Sequence, residues 1–128
     1  MARGWEAVSL PAEVPAPAGA YSPVVRAGSL VFVSGQVPID PRTRQLIGND
    51  VSTQTRAVLA NLERVLGYAG CGLADVVSVT AYLASIDDWD EFDAAYRSVF
   101  TQPYPTRTTL GAGLHGFLVE ISAVAVSF

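Results

Sequence analysis

Two charged residues, Arg107 and Glu120, lie inside apolar stretches of the chain that have the character of β-strands, and they are the first candidates for chemistry. Arg107 lies within Pro105–Leu110, and Glu120 lies within Leu118–Ser122. Burying a charged side chain costs several kcal/mol unless the charge is paired or serves a function. Each of the two residues therefore requires an explanation.

Arg107 and Glu120 have a structural interpretation and a functional one. In the structural interpretation they form an ion pair, either across two strands or between subunits. In the functional one, the planar guanidinium of Arg107 binds a small carboxylic acid through two hydrogen bonds, and Glu120 orients or deprotonates a water that attacks an electrophilic carbon. If their strands form a hairpin around the turn near His115, the two residues could line one pocket. The residues alone leave both interpretations open.

The scarce residue types exclude several other chemistries. All eight basic residues are Arg, so the chain offers no lysine for a Schiff base or for a P-loop. One Cys and one His fall short of the ligand sets of zinc sites, and no metal site or intrachain disulfide is predicted. Cys71, between two glycines, is interpreted as a half-buried turn residue, and His115 as a turn residue. A Ser-His-Asp triad stays formally open, although no spacing favours it.

Length and charge bound the class of protein. A chain of 128 residues predicts one domain, spanning residues 1–128. The net charge of −4 makes nucleic acid a poor partner, because phosphate contacts require a basic surface. No apolar run approaches the roughly 20 residues that span a bilayer, and the N-terminus lacks the apolar core of a signal peptide. We therefore expect a cytoplasmic protein with no membrane partner.

The first half of the chain predicts an extended arm, a β-hairpin and a helix. Three prolines within the first twenty residues favour an extended arm. Two β-rich runs on either side of Ala27–Ser29 predict a hairpin. Asp50 is placed as the N-cap of a helix with an amphipathic stripe, and Gly70 ends that helix.

The second half predicts a strand, a second helix and two further strands. The strand covers Asp75–Ile86, which is rich in Val, Thr and Tyr. Asp88 followed by Glu91 resembles a capping box, which begins an amphipathic helix. The last two strands cover Thr106–Ala112 and Phe117–Ser127.

The order β-β-α-β-α-β-β predicts an α+β fold, with a single mixed sheet and both helices packed on one face. In the last strand both alternating sets of side chains are largely apolar. The face away from the helices would therefore be apolar and uncovered. Such a face predicts self-association, because monomers rarely expose large apolar patches.

Four stretches of the sequence, in this order and spacing, resemble a known family, the reactive intermediate deaminase or YjgF family, over nearly the whole chain. They are Gly19–Pro23, Val33–Pro38, Pro105–Thr109 and Val119–Val126. The resemblance implies a chorismate-mutase-like fold and a homotrimer whose β-faces form a central barrel. It also implies a ligand site in each cleft between neighbouring subunits.

The resemblance implies roles for individual residues. Arg107 would bind the substrate carboxylate together with the backbone N–H of Thr108, and Glu120 would position the attacking water. Tyr21 and Gly35 match positions that shape the substrate pocket.

Two further positions of the substrate-binding site depart from the family pattern. Thr109 stands where many members have Cys, so a reactive thiol is not expected in this site. Asp93 stands where many have Asn, and its negative charge would narrow the substrate range. The turn Asp40–Arg44 also departs from the common Asp-Pro-x-Thr-Gly.

The activity implied by the resemblance is that of a 2-iminobutanoate/2-iminopropanoate deaminase, a hydrolase that converts 2-imino or enamino acids to 2-oxo acids and ammonia without a cofactor. An alternative is a binding module that senses 2-oxo acids through the same arginine. A ribonuclease is a third candidate, and the acidic chain, its single His and its lack of Lys argue against it.

Overall fold

A six-stranded mixed sheet with two helices on one face forms the fold, in a computed structural model that describes residues 3–128. The strand order is β1-β2-β3-β6-β4-β5, and every neighbouring pair is antiparallel except β4 and β5. The strands are β1 (Glu6–Ala7), β2 (Val24–Ala27), β3 (Leu30–Gln36), β4 (Val76–Leu83), β5 (Thr106–Gly111) and β6 (Val119–Val126). The helices are α1 (Val51–Tyr68) and α2 (Trp89–Arg97), and short 3₁₀ turns cover Leu73–Asp75 and Ile86–Asp88. The predicted fold class is confirmed.

The predicted β2–β3 hairpin and the first helix are present for the expected reasons. Gly28, with φ of +61°, allows the tight turn between β2 and β3. Asp50 caps α1, since its carboxylate accepts a hydrogen bond from the Thr53 N–H at 2.9 Å. Gly70 follows the helix with φ of +77°, the left-handed conformation typical of a helix C-terminus.

The core lies between the sheet and the two helices. Val58, Leu59, Leu62 and Leu66 of α1 are fully buried there, as is Phe92 of α2. The sheet contributes one alternating set of side chains from each central strand, as expected for strands that cover a core on one side. These are Val31 and Val33 of β3, Val79, Ala81 and Leu83 of β4, and Val119, Ile121, Ala123 and Ala125 of β6.

The expected pairing of the last two strands is wrong. β4 lies between β5 and β6, pairing with β5 in parallel and with β6 in antiparallel. The physical reason is that β6 is apolar on both faces and takes a central position, with β3 on one side and β4 on the other. β5, which carries Arg107 and three threonines, is left at the edge.

The start of α2 also differs from the predicted capping box. A 3₁₀ turn precedes the helix, and the Ser85 hydroxyl caps that turn by accepting from the Asp87 N–H at 3.3 Å. Asp88 makes no capping hydrogen bond with its side chain. Glu91 instead accepts a hydrogen bond from the Ser52 N–H at 3.0 Å and so joins the beginnings of the two helices.

The sheet face opposite the helices carries exposed apolar side chains. Leu30 is 40% exposed and Phe32 is 43% exposed. They lie opposite Val126 and Val124 of β6, respectively, which are half-buried. The uncovered apolar face expected from the sequence is therefore present in the single chain. Neither helix in residues 3–128 combines the length and the apolar character needed to cross a membrane.

Candidate functional site

Arg107 lies on the edge strand β5 and points to the helix side of the sheet. It is in register with Val79 of β4, whose side chain is buried in the core. Its own side chain is only 16% exposed, and its Nη2 contacts the Asp93 carboxylate at 2.9 Å. The guanidinium carbon lies 4.6 Å from the centre of the Tyr96 ring and 5.2 Å from that of Phe92. An arginine held by aromatic rings in this way has its charge stabilised and its direction fixed.

Helix α2 supplies that setting because its residues recur at helical spacing. Trp89, Phe92, Asp93 and Tyr96 are three or four positions apart, so they share the face that looks at β5. Phe92 and Tyr96 are buried, whereas Trp89 is 41% exposed and lies with its ring centre 5.3 Å from the Arg107 guanidinium. The arginine thus lies at the boundary between core and solvent.

Asp93 joins two arginines at the wall of a cleft of about 280 Å³. Its Oδ2 contacts Arg97 at 2.8 Å, and its Oδ1 contacts Arg107. The hydrogen bond from Arg97, with a further contribution from Arg107, lowers the pKa of the Asp93 carboxyl below its usual value. A guanidinium has five N–H donors, so Arg107 retains donors for the carboxylate of a ligand in addition to that of Asp93. The cleft, which we call the arginine cleft, is lined by Asp93, Tyr96, Arg97, Tyr104, Pro105 and Arg107.

Two hydroxyl groups near this cleft are buried without a hydrogen-bond partner within residues 3–128. They are the Tyr96 hydroxyl and the Thr109 hydroxyl. Burial raises the pKa of Tyr96 to about 12, so this phenol stays protonated at neutral pH. A buried hydroxyl with no partner lowers stability, because it has lost its bonds to water without replacement.

We predict that Tyr96→Phe keeps or slightly raises the stability of the fold. It removes the unpartnered hydroxyl, whose burial costs about 1–3 kcal/mol, and keeps the ring that stacks on Phe100 at 4.6 Å between centroids. Tyr96→Ala is the control, and it should lower the free energy of unfolding by about 3–5 kcal/mol through the cavity it leaves. Urea titration of both variants measures the effect. A loss above about 1 kcal/mol in Tyr96→Phe would show that the hydroxyl has a stabilising partner.

Glu120 lies on the opposite face of the sheet, in register with Tyr82 of β4. It is half-buried, and this burial raises the pKa of its carboxyl above the usual value. Gly35 lies directly against it, since a Cβ at position 35 would come within 2.9 Å of the Glu120 Cδ. Gly35 lies in an irregular part of β3, where the pairing with β6 shifts between Val33 and Gln36.

Tyr21 lies with Gly35 and Gln36 in a second cleft of about 300 Å³, which Asn61 and Tyr68 of α1 also line. Tyr21 is 53% exposed. The segment is fixed to β3 because the Ser34 hydroxyl donates to the Ser22 carbonyl at 2.6 Å. Gly35 and Glu120 thus form one group, which we call the glutamate side, and the cleft of Tyr21 adjoins it at Gly35.

The structure does not bring Arg107 and Glu120 together within one chain. Their side chains leave opposite faces of the sheet, and β4 separates their strands. Their register partners, Val79 and Tyr82, are three residues apart, so the offset is about 10 Å along the strands and about 10 Å across them. The predicted shared pocket and the predicted cross-strand ion pair are therefore both wrong for a single chain.

The other candidate residues divide between the two faces. Thr109 shares the helix side with Arg107, because it is in register with Ala81. Thr108 points to the opposite face, although its backbone belongs to the edge strand beside the arginine cleft. Cys71 is buried, as a turn residue whose Sγ lies 3.7 Å from the Val126 carbonyl oxygen. His115 is exposed beside Gly116, whose φ is +85°.

Four residues of the arginine cleft were not predicted as site residues, namely Tyr96, Arg97, Tyr104 and Pro105. The spacing of Asp93 and Arg97, four residues apart in a predicted helix, was a usable signal. Within residues 3–128, no group of three or more His, Cys, Asp or Glu side chains is placed to hold a metal ion.

Comparison with known proteins gives consistent matches over nearly the whole chain. The family described as Endoribonuclease L-PSP matches residues 12–127. A RutC family protein of Pyrococcus horikoshii is 37% identical over 87% of this chain and 90% of its own. The human 2-iminobutanoate/2-iminopropanoate deaminase is 32% identical over 90% of this chain and 85% of its own.

Solved structures match the fold as well. A putative endoribonuclease from Thermotoga maritima superposes with a TM-score of 0.83 at 34% identity, covering 100% of this chain and 99% of its own. RidA from an Antarctic Psychrobacter gives a TM-score of 0.85 at 28% identity, covering 94% of this chain and 99% of its own.

Proposed function

We propose that this chain, which belongs to the Endoribonuclease L-PSP family, hydrolyses 2-imino acids to 2-oxo acids and ammonia. The family resemblance predicted from four stretches of sequence is confirmed by that match and by the RidA structure. The observation that carries the proposal is the position of the Arg107 guanidinium, which aromatic rings hold at a cleft. Its contact with Asp93 leaves N–H donors available to a ligand. The human and bovine relatives named as imine deaminases support the same reaction.

In the proposed mechanism, Arg107 binds the substrate carboxylate in a bidentate manner and fixes the C=N group beside it. Glu120 in its ionised form accepts a proton from a water, whose oxygen then bonds to the C=N carbon. As the π bond of the C=N group opens, its nitrogen takes up a proton from solvent, which gives a carbinolamine. Glu120 then returns its proton to the amino group. The C–N bond breaks while the hydroxyl group loses its proton to solvent and forms the C=O bond, and a 2-oxo acid and ammonia leave.

We further propose that the site is completed between copies of the chain. In one chain the arginine cleft and the glutamate side lie on opposite faces of the sheet, so they cannot contact one small substrate together. A neighbouring copy could bring its Tyr21, Gly35 and Glu120 to the edge strand of the first. The exposed Leu30 and Phe32 on the helix-free face support association, and a closed ring of three would bury them in every subunit.

The alternative of a binding module that senses 2-oxo acids uses the same arginine, and it differs from the enzyme only in the role of Glu120. Ribonuclease activity has less support, because the net charge is −4 and the chain carries no Lys to neutralise phosphates.

A coupled assay tests the reaction. A pyridoxal-phosphate dehydratase acting on threonine or serine supplies the imine in place, and the appearance of the 2-oxo acid is followed with and without this protein. We expect faster release of the 2-oxo acid in proportion to added protein. Calorimetric binding of a 2-oxo acid with no acceleration would favour the sensor over the enzyme.

Mixing two inactive variants tests the composite site. We predict that Arg107→Lys and Glu120→Gln chains, refolded together, recover about a quarter of wild-type activity, since random pairing places both native residues at one site with that frequency. The control mixes Arg107→Lys chains with chains carrying both substitutions, which cannot form a native site. Equal inactivity in both mixtures would assign Arg107 and Glu120 of each site to the same chain. Light scattering should give the mass of a trimer throughout.

A further inference from the structure

Asp93 places a negative charge inside the arginine cleft, beside the group proposed to bind the substrate. Its two carboxylate oxygens each contact a different arginine, Arg97 at 2.8 Å and Arg107 at 2.9 Å. The Asp93 side chain is 18% exposed, so solvent screens its charge less than it would at the open surface. Any ligand carboxylate on Arg107 must therefore share the arginine with Asp93.

The charges of the cleft leave room for one carboxylate. Asp93 offsets one of the two arginines that line it, so the net charge there is about +1, which a single substrate carboxylate neutralises. A second carboxylate would enter a site with no net positive charge left, in which the Asp93 carboxylate repels it. Asp90 lies outside the arginine cleft, in a neighbouring groove that Asp93 and Arg97 also line.

Asp93 is held in place by its own helix. Arg97 lies one turn further along α2 and pairs with Asp93 at i,i+4, so the carboxylate remains oriented when a ligand takes over donors of Arg107. Arg97 itself is 67% exposed at the side chain, and Asp93 offsets its positive charge, so it attracts a distal ligand carboxylate less than an unpaired arginine would. The rest of the wall includes Tyr104 and Pro105, which suit an uncharged side chain.

We propose that Asp93 is a specificity residue, which restricts the arginine cleft to 2-imino acids with one carboxylate and disfavours those with a second. The inference rests on the proposed function, since it concerns the substrate class of the same site. It assigns Asp93 a role in charge selection and none in the chemical step.

The test compares binding of 2-oxobutanoate and 2-oxoglutarate by calorimetry, for the wild type and for Asp93→Asn. Asparagine keeps the shape of the side chain and removes its charge, so the positive charge of Arg97 is no longer offset and attracts the distal carboxylate. We expect the wild type to bind 2-oxobutanoate more tightly than 2-oxoglutarate. In the variant, the ratio of the two dissociation constants should fall by at least about tenfold, because 2-oxoglutarate binds more tightly. Hydrolysis of imines formed from the corresponding amino acids should shift in the same direction.

Asp90→Asn is the matched control, because it removes one negative charge from the same helix outside the arginine cleft. We expect the ratio of its dissociation constants for 2-oxobutanoate and 2-oxoglutarate to stay within about twofold of the wild-type ratio. An Asp93→Asn variant that keeps the wild-type preference, or that weakens both ligands equally, would overturn the selective role. A wild-type protein that neither binds 2-oxobutanoate nor hydrolyses its imine would overturn the proposed function itself, together with this inference.

Discussion

Replacing Arg107 with Lys is expected to lower kcat/KM for imine hydrolysis by on the order of 10²-fold or more. Lysine keeps the charge but loses the planar fork that binds a carboxylate through two parallel hydrogen bonds. Losing such a contact costs about 2–4 kcal/mol, and each 1.4 kcal/mol is a factor of about ten in rate. Because the ammonium can still pair with Asp93 and lie against the aromatic rings of α2, the fold should persist.

The matched control is Arg56→Lys, on the exposed surface of α1, where the arginine donates a side-chain hydrogen bond to the Ser52 hydroxyl at 3.3 Å. Steady-state kinetics and calorimetric binding of 2-oxobutanoate should be measured on all three proteins. We expect the binding constant to fall with kcat/KM in Arg107→Lys and to stay unchanged in Arg56→Lys. Turnover of Arg107→Lys near the wild-type level would remove Arg107 from the site.

Replacing Glu120 with Gln is expected to lower turnover by on the order of 10²- to 10⁴-fold, the usual contribution of a positioned acid or base. Binding of 2-oxobutanoate should survive, since Arg107 supplies it. The substitution separates catalysis from binding, because Arg107 pairs with Asp93 within the chain and neutralising Glu120 leaves that pair intact. Lost binding in proportion to lost turnover would instead make Glu120 a structural residue.

Stability provides a second readout for Glu120→Gln. Burial raises the carboxyl pKa in the folded state, so the folded protein holds this proton more tightly than the unfolded chain does. The contribution of Glu120 to stability is therefore present at low pH and is lost as pH rises through the raised pKa. At pH 7 the variant should melt at the same temperature as the wild type or slightly higher.

The same raised pKa sets the direction of the pH dependence of catalysis. Ionised Glu120 is the active form, so the activity of the wild type should fall on acidification at a higher pH than an ordinary glutamate would give. The residual activity of Glu120→Gln should not show this fall at acidic pH, because glutamine does not titrate.

Local elements were predictable from the sequence because their signals lie within a few residues. Gly28 between two β-rich runs specified the hairpin, and Asp50 and Gly70 specified the ends of α1. The strand order was not predictable in the same way, since the placement of β4 between β5 and β6 depends on contacts distant in sequence. That single difference decides which face each charged residue occupies.

Part of the candidate site was predictable from the sequence, but its geometry and the cleft residues Tyr96, Arg97 and Tyr104 were not. Arg107 and Glu120 were identifiable because a charge inside an apolar strand is unusual, and Asp93 because of the family pattern. Whether Arg107 and Glu120 share a face of the sheet depends on how each of their strands is aligned with β4, which lies between them. A shift of one residue in either alignment would move a side chain to the other face. The ion pair between Asp93 and Arg107 joins a helix to an edge strand, a contact that no periodicity specifies.

The close approach of Gly35 to Glu120 also bears on how this chain can evolve. Any residue other than glycine at position 35 would place its first side-chain carbon against the glutamate carboxylate, so the Glu120 side chain would have to shift to make room. A substitution at position 35 would therefore displace the carboxylate proposed to position water, even though position 120 itself is unchanged. We expect the two positions to show epistasis, with a larger residue at position 35 costing activity only while the glutamate is present.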